Sequence, residues 1–213
     1  MRLTIFGATG GTGRALVERA LAAGHQVVAA VRTPARLAIG HPALEVAHAD
    51  VFSPRSLEPL VAGSDAVLSA LGPNGRKDTS RVCSAGIASI LTAMDAAGVR
   101  RVVAVSAQPV LRTGAGETPL FRTVALPVVR AVFRTVYEDL ERMEEALTAS
   151  TADWTVLRPP MLTGKPATGR YRSAVDANVP GTMTRGDLAG AMLGVLPDPF
   201  TVRRAIGVAG PRR

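Results

Sequence analysis

Short apolar runs alternate along the chain with longer stretches in which apolar residues recur every three or four positions. Runs at 2–6 (RLTIF), 26–32 (QVVAAVR), 43–50 (ALEVAHAD), 65–72 (DAVLSALG), 100–107 (RRVVAVSA) and 154–160 (WTVLRPP) have the length and branching of buried strands. Shorter segments at 169–175 and 203–210 read the same way. Between them, 12–24 places Leu16, Val17, Ala20 and Leu21 on one helical face and stops at Gly24. Segment 53–63 reads as a short helix with a Ser53 cap and Pro54 in its first position. Residues 79–97 form a long helix closed by Gly98, 124–150 is helical but interrupted near Pro127, and 184–196 is a last helix. Strands alternating with helices predict an α/β, doubly wound domain: a mostly parallel sheet with helices on both faces. Near-continuous apolar strands agree, because such strands are covered on both sides. We find no repeat or linker, so 1–213 reads as a single domain, with a substrate-facing part at about 109–135 and 160–183.

In such a sheet a ligand belongs outside the carboxyl ends of the strands, where strand order reverses. "GATGGTG" (7–13) meets that condition, following the first strand and opening the first helix. One glycine permits the tight turn, one lets backbone approach a pyrophosphate, and one lets helix and strand pack closely. Free amides at the helix start would hold the anion, and Thr9 and Thr12 can add hydroxyl donors. This is the fingerprint of a Rossmann dinucleotide site; the competing reading is a glycine-rich turn without a ligand.

The end of the second strand decides between coenzymes. An NAD site places an acid there to bond the ribose hydroxyls. Here stand Arg32, Thr33 and, further on, Arg36. Guanidinium groups bind a 2′-phosphate through forked hydrogen bonds, which predicts NADPH/NADP, against the alternative that both arginines are solvated surface. Asp50, ending strand three, could accept from the adenine amino group beside the Val51 amide; the alternative is a helix cap, for which Ser53 is the better candidate. Leu71 and Gly72 end strand four, where backbone can pass near the nicotinamide ribose.

Composition narrows the picture. A hydrophobic share of 47% suits one domain with a full core. Cys83 is the only cysteine, so no disulfide forms within the chain, and a reducing, cytoplasmic setting is expected. Within its helical pattern it reads as a small core residue. His25, His41 and His48 lack metal-ligand spacing, and no metal is expected. No apolar stretch approaches the roughly 20 residues of a membrane helix, and the amino terminus does not read as a signal peptide. The net charge of +8 is nearly all arginine, with Lys77 and Lys165 the only lysines. The arginines are dispersed and lack interleaved aromatics, so no nucleic-acid partner is expected; apart from a few phosphate ligands they read as solvated surface.

The motifs "FGATGGTGR", "VRTPARL", "ADV", "AVLSALGPN", "VVAVSA" and "WTVLRPP" occur in an order and spacing that resemble the atypical short-chain dehydrogenase/reductase group, including NmrA-like and NAD(P)H-binding proteins. The biliverdin-IXβ reductase/flavin reductase type is the most similar. By position, the resemblance implies that Gly7, Thr9, Gly10, Gly11, Thr12 and Gly13 line the pyrophosphate, and that Arg32 and Arg36 hold the 2′-phosphate. It implies adenine contacts from Asp50 and Val51. Leu71, Gly72, Val105, Ser106 and Ala107 would flank the nicotinamide, with Pro160, Met161 and Leu162 against its carboxamide.

The chain departs from the superfamily's Tyr-x-x-x-Lys acid–base pair. Tyr137 is followed four residues on by Glu141, whose charge would raise a tyrosine pKa, so Tyr137 reads as a packed helix residue. Ser106 is the one catalytic candidate, bonding the carboxamide or substrate, or else only a loop amide. The acidic "YEDLERMEEAL" reads as a solvated face. A flavin, quinone or bilin-like acceptor needs little acid–base help, and the apolar, arginine-dotted 109–135 segment would make an open wall for such a flat ligand. The expectation is an NADPH-dependent reductase of a planar small-molecule acceptor, acting as a monomer, with a dimer as the alternative. The alternative is an NmrA-like redox sensor that binds NADP without turnover.

Overall fold

The computed structural model describes residues 1–75 and 78–212; Lys77 lies outside them. The strands are β1 (Arg2–Phe6), β2 (Gln26–Val31), β3 (Leu44–His48), β4 (Ala66–Ser69), β5 (Arg101–Val105), β6 (Asp153–Arg158), β7 (Met161–Thr163), β8 (Arg172–Val175), β9 (Thr182–Thr184) and β10 (Arg204–Ala209). The helices are α1 (Gly11–Ala22), α2 (Pro54–Val61), α3 (Val82–Ala97), α4 (Leu126–Val132), α5 (Arg134–Ala149) and α6 (Arg185–Gly194). Eight strands form one sheet in the order β3-β2-β1-β4-β5-β6-β10-β8, parallel except for β8 against β10. This is the doubly wound Rossmann arrangement, and strand order reverses between β1 and β4.

Burial follows position in the sheet. Central β1 and β4 carry apolar side chains buried on both faces, whereas the outer strands β3 and β8 alternate between half-buried and exposed positions. On one face, Leu16, Val17, Ala20 and Leu21 of α1 meet Leu188, Ala189, Ala191 and Met192 of α6. On the other, Leu57 and Val61 of α2, Ile87, Ile90 and Met94 of α3, and Leu140, Met143 and Leu147 of α5 form the second core layer, with Cys83 buried among them. Burial pushes the Cys83 thiol far above its ordinary value, with Asp139 adding to the effect.

Several expectations are corrected. The segment after β6, expected to hold a strand only at 169–175, also contains β7 and β9, which pair as a separate two-stranded parallel sheet. Each is only three residues long, too short to show a period. The interruption in 124–150 falls at Phe133 (φ −112°, ψ 31°), between α4 and α5. Pro127 sits instead in the first turn of α4, where its missing N–H is tolerated, and a π-helical turn at Phe121–Ala125 precedes it. Ser53 occupies the N-cap of α2, but its side chain makes no capping bond among the described residues. Ser56 Oγ instead donates to the Ser53 carbonyl.

The acidic face of α5 is solvated only in part: Glu145 is exposed and Glu138 pairs with the exposed Arg134, but Asp139, Glu141 and Glu144 turn inward. Asp139 is buried and serves α3: its carboxylate accepts from the Cys83 N–H (3.0 Å), the Ser84 N–H (3.0 Å) and the Ser84 hydroxyl. It thereby caps the helix from a neighbouring element, because Arg81 at the N-cap position is left-handed and supplies no side-chain bond. Glu144 forms a buried ion pair with Arg158, and Glu141 accepts from both Arg112 and Arg130. Nor are the arginines all surface. Arg101 donates to the Val195 carbonyl at 2.6 Å and to Thr155 Oγ1 at 2.8 Å, placing a cation at the carboxyl end of α6.

Truncating Asp139 leaves two amides and a hydroxyl without their acceptor. Asp139→Ala is expected to lower unfolding free energy by about 2–4 kcal/mol, measured by denaturant titration, with Asp139→Asn losing less because one acceptor oxygen remains.

Candidate functional site

A cleft of about 1140 Å³ opens at the reversal point, above the carboxyl ends of β1, β2, β3 and β4. Its floor is the glycine loop. Gly7 has φ +77°, and a Cβ there would stand 2.5 Å from the Ala70 carbonyl oxygen, so the chain can turn from β1 toward α1 alongside the end of β4 only with glycine here. A Cβ on Gly13 would meet the Gly7 carbonyl oxygen at 2.1 Å. Gly13 is therefore the packing glycine, buried beneath the loop. Gly10 is the N-cap of α1, with no side-chain cap and no acid in the first turn among the described residues. The amides at the start of a 12-residue helix thus face the cleft without a protein acceptor from a cap.

Of the residues singled out from the sequence, Gly7, Thr9, Gly10, Gly11, Thr12, Arg32, Arg36, Asp50, Val51, Leu71, Gly72 and Leu162 line this cleft. Arg32 directly follows β2, and Arg36 comes after it on a single 3₁₀ turn begun by Pro34. Both are exposed, and neither has an ion-pair partner among the described residues. Asp50 Oδ1 accepts from the Phe52 N–H at 3.0 Å, so that oxygen shapes the loop after β3.

Gly13, Val105, Ser106, Ala107, Pro160 and Met161 do not line the cleft. Ser106 is the main correction: it is buried, and its hydroxyl donates to Glu144 Oε1 at 2.6 Å. Glu144 also accepts from Arg158 Nε at 3.0 Å, so the hydroxyl belongs to a buried ionic network rather than to a wall. Met161 points to solvent at 71% exposure. Tyr137 is half-buried on α5, edge to face with Phe133 at 6.2 Å. Burial raises its pKa, with Arg130 acting in the opposite direction; Glu141 is engaged by its two arginines.

Three contributors escaped the sequence. Phe52, 49% exposed, presents an aromatic face beside Asp50; its signal was an exposed aromatic directly after a strand end. Asp78 holds its loop by accepting from the Asn74 N–H (2.6 Å) and the Ser80 N–H (2.8 Å). Those bonds keep its carboxyl below the usual range, and the Arg32 charge adds to the effect. Arg185, the first residue of α6, reaches the cleft from the far end of the chain. Its helix start is fixed by Thr184, which accepts from the Asp187 N–H, while Asp187 accepts from Thr168 and Gly169. Burial raises the Asp187 pKa, but these bonds outweigh it and hold the group below its ordinary value.

A glycine-lined strand-to-helix turn, an open helix end and a cationic tip on the next strand define a nucleotide-coenzyme-binding protein. The profile of the NAD(P)H-binding family matches residues 7–199, and the chain belongs to that family. The fold is shared with the oxidoreductase ylbE from Lactococcus lactis (21% identity, covering 100% of this chain and 92% of that one, TM-score 0.84). It is shared also with a wide-type short-chain dehydrogenase/reductase from Veillonella parvula in complex with NADP (20% identity, 99% and 94%, TM-score 0.81). A Rossmann-fold NAD(P)-binding family protein from Shigella flexneri is similar at 21% identity (99% and 93%, TM-score 0.72). Among the described residues no group of three or more His, Cys, Asp or Glu side chains could hold a metal ion, and no helix is long and apolar enough to cross a membrane.

Two outcomes are expected. Gly13→Ala drives a methyl into the Gly7 carbonyl; it is expected to lower stability by about 1–3 kcal/mol and to abolish the fluorescence enhancement of bound reduced coenzyme. Asp187→Asn is expected to destabilise the fold at neutral pH. Because the folded pKa of Asp187 lies below its unfolded value, its contribution is complete above the unfolded value of about 3.9 and fades as pH falls through the folded one. The stability gap between wild type and variant, followed by thermal melts, should narrow below about pH 4.

Proposed function

We propose that the chain is an NADPH-dependent reductase of a planar acceptor, a flavin, quinone or bilin-like molecule. The observation that carries this reading is the pair Arg32 and Arg36, two exposed cations just beyond β2 with no ion-pair partner among the described residues, where a ribose-binding carboxylate would repel a 2′-phosphate. The residues present fit the coenzyme: the Gly7–Gly13 turn leaves backbone accessible, the α1 amides suit the pyrophosphate, and Phe52 with Val51 offers an apolar seat for adenine.

When bound, the reduced coenzyme supplies a hydride. What the protein adds is position. Leu71, Gly72 and Leu162 provide the uncharged end of the cleft. The only carboxylates on its described walls are Asp50 and Asp78, both committed to turns, and no Tyr, His, Lys or Glu stands there. A site without a positioned proton donor suits an acceptor that completes its reduction with a proton from water, and disfavours alcohol or sugar oxidation through a tyrosine. After the end of β5, Arg130 of α4 donates to the Pro109 carbonyl, and the segment running through the π-helical turn into α4 leaves Leu120, Val124, Val128 and Val132 exposed. This apolar stripe supports the reading of 109–135 as a wall for a flat ligand.

The test is NADPH oxidation with FMN, riboflavin and quinones, alongside NADPH and NADH affinities. Turnover with at least one acceptor is expected. Arg32→Ala should weaken NADPH by about 10- to 100-fold while leaving NADH unchanged. Equal effects on both coenzymes would remove the 2′-phosphate assignment. Tight NADP binding with no turnover on any acceptor would favour the sensing role instead.

A further inference from the structure

Among the described residues, Arg185 is the guanidinium that lies over the glycine loop. A Cβ built on Gly11 would stand 2.7 Å from Arg185 Cδ and 2.9 Å from its Nε, and one on Gly164 would stand 4.0 Å from Nη1. The side chain therefore runs across the first residue of α1, between the loop and the segment after β7. No carboxylate among the described residues lies within ion-pair distance of it. The acid nearest in sequence, Asp187, is turned away and saturated by the Thr168 and Gly169 amides and the Thr168 and Thr184 hydroxyls. A cation without a counter-charge among the described residues is thus held over uncapped helix amides, on the wall of the cleft, more than 170 residues along the chain from the loop it covers.

Resting on the coenzyme reading above, we propose that Arg185 is a pyrophosphate clamp: the carboxyl-terminal part of the chain supplies the positive charge that the glycine loop itself lacks. Residues 7–13 contain no basic side chain, so helix amides and threonine hydroxyls alone face a doubly charged group. A guanidinium with forked donors completes that set. The division of labour is spatial. Arg32 and Arg36 select the phosphorylated ribose at one end, and Arg185 grips the group common to both coenzymes at the other. The clamp also links two parts of the fold. Arg185 directly follows β9, and β9 pairs with β7, which carries Leu162 into the same cleft. Coenzyme binding thereby fastens the β7–β9 ribbon where it already lies, over the glycine loop.

The experiment is calorimetry on the full chain with NADP, NAD and 2′-AMP, which carries the 2′-phosphate without a pyrophosphate. Arg185→Met keeps the stem over Gly11 and removes the charge. It should weaken NADP and NAD by the same factor, roughly 10- to 50-fold, and leave 2′-AMP unchanged. Arg32→Ala should give the complementary pattern, weakening NADP and 2′-AMP and sparing NAD. Gly11→Ala, which displaces the Arg185 stem, should weaken NADP in the wild type and add little in the Arg185→Met background. Amide exchange over 161–184 should slow with NADP in the wild type and not in Arg185→Met. Unchanged NADP affinity in Arg185→Met, or an equal loss of 2′-AMP, overturns the clamp. Failure of the wild type to bind any of the three overturns the coenzyme reading itself, and the clamp with it.

Discussion

Everything at the amino-terminal edge of this protein depends on a backbone-to-backbone contact. Gly13 in the first turn of α1 sits on the carbonyl of Gly7, with no room between them for a single methyl group. That contact sets how closely the first helix approaches the first strand, and hence where the helix start points. Gly7, at positive φ, makes the same close approach to Ala70 on the other side. Three pieces of main chain converge with no side chains between them. The gap that remains above is bounded by polar main chain rather than by carbon. A cleft of that lining takes anions, and its chemistry follows from the geometry before any charged residue is considered.

The charged residues then divide into two populations. Arg101, Arg130 and Arg158 are committed to carbonyls and carboxylates within the fold. Arg32, Arg36 and Arg185 face the cleft without such partners among the described residues. The acids divide in the same way: Asp139, Glu141, Glu144 and Asp187 serve helix ends, ion pairs and loop amides. The net charge of +8 is what these pairs leave over, carried mostly by exposed arginines. Part of that remainder is concentrated at one site.

Much of this was legible in the chain itself. The apolar runs located the eight strands of the main sheet, and the glycine spacing located the turn, because both are local consequences of burial and backbone sterics. Legibility ended where partners are distant in sequence. Nothing around Asp139 says that it caps α3, 55 and 56 residues away. Nothing around Ser106 says that its hydroxyl turns to Glu144, since that depends on how α5 is rotated against β5. β7 and β9 were missed for a related reason: three residues are too few for a pattern, and each exists only because the other is alongside. Arg185 was invisible because its neighbour Gly11 belongs to the opposite end of the chain.

The break at Phe133 divides one helical stretch into halves of very different standing. α5 sends four buried side chains into the core and anchors α3 through Asp139, whereas α4 sends only Leu126. Opening α4 removes almost nothing from the interior, so that half exchanges and drifts at little cost, while α5 is bound to global unfolding. The exposed Leu120, Val124, Val128 and Val132 can therefore be replaced without loss to the core, a freedom that the buried face of α5 does not have.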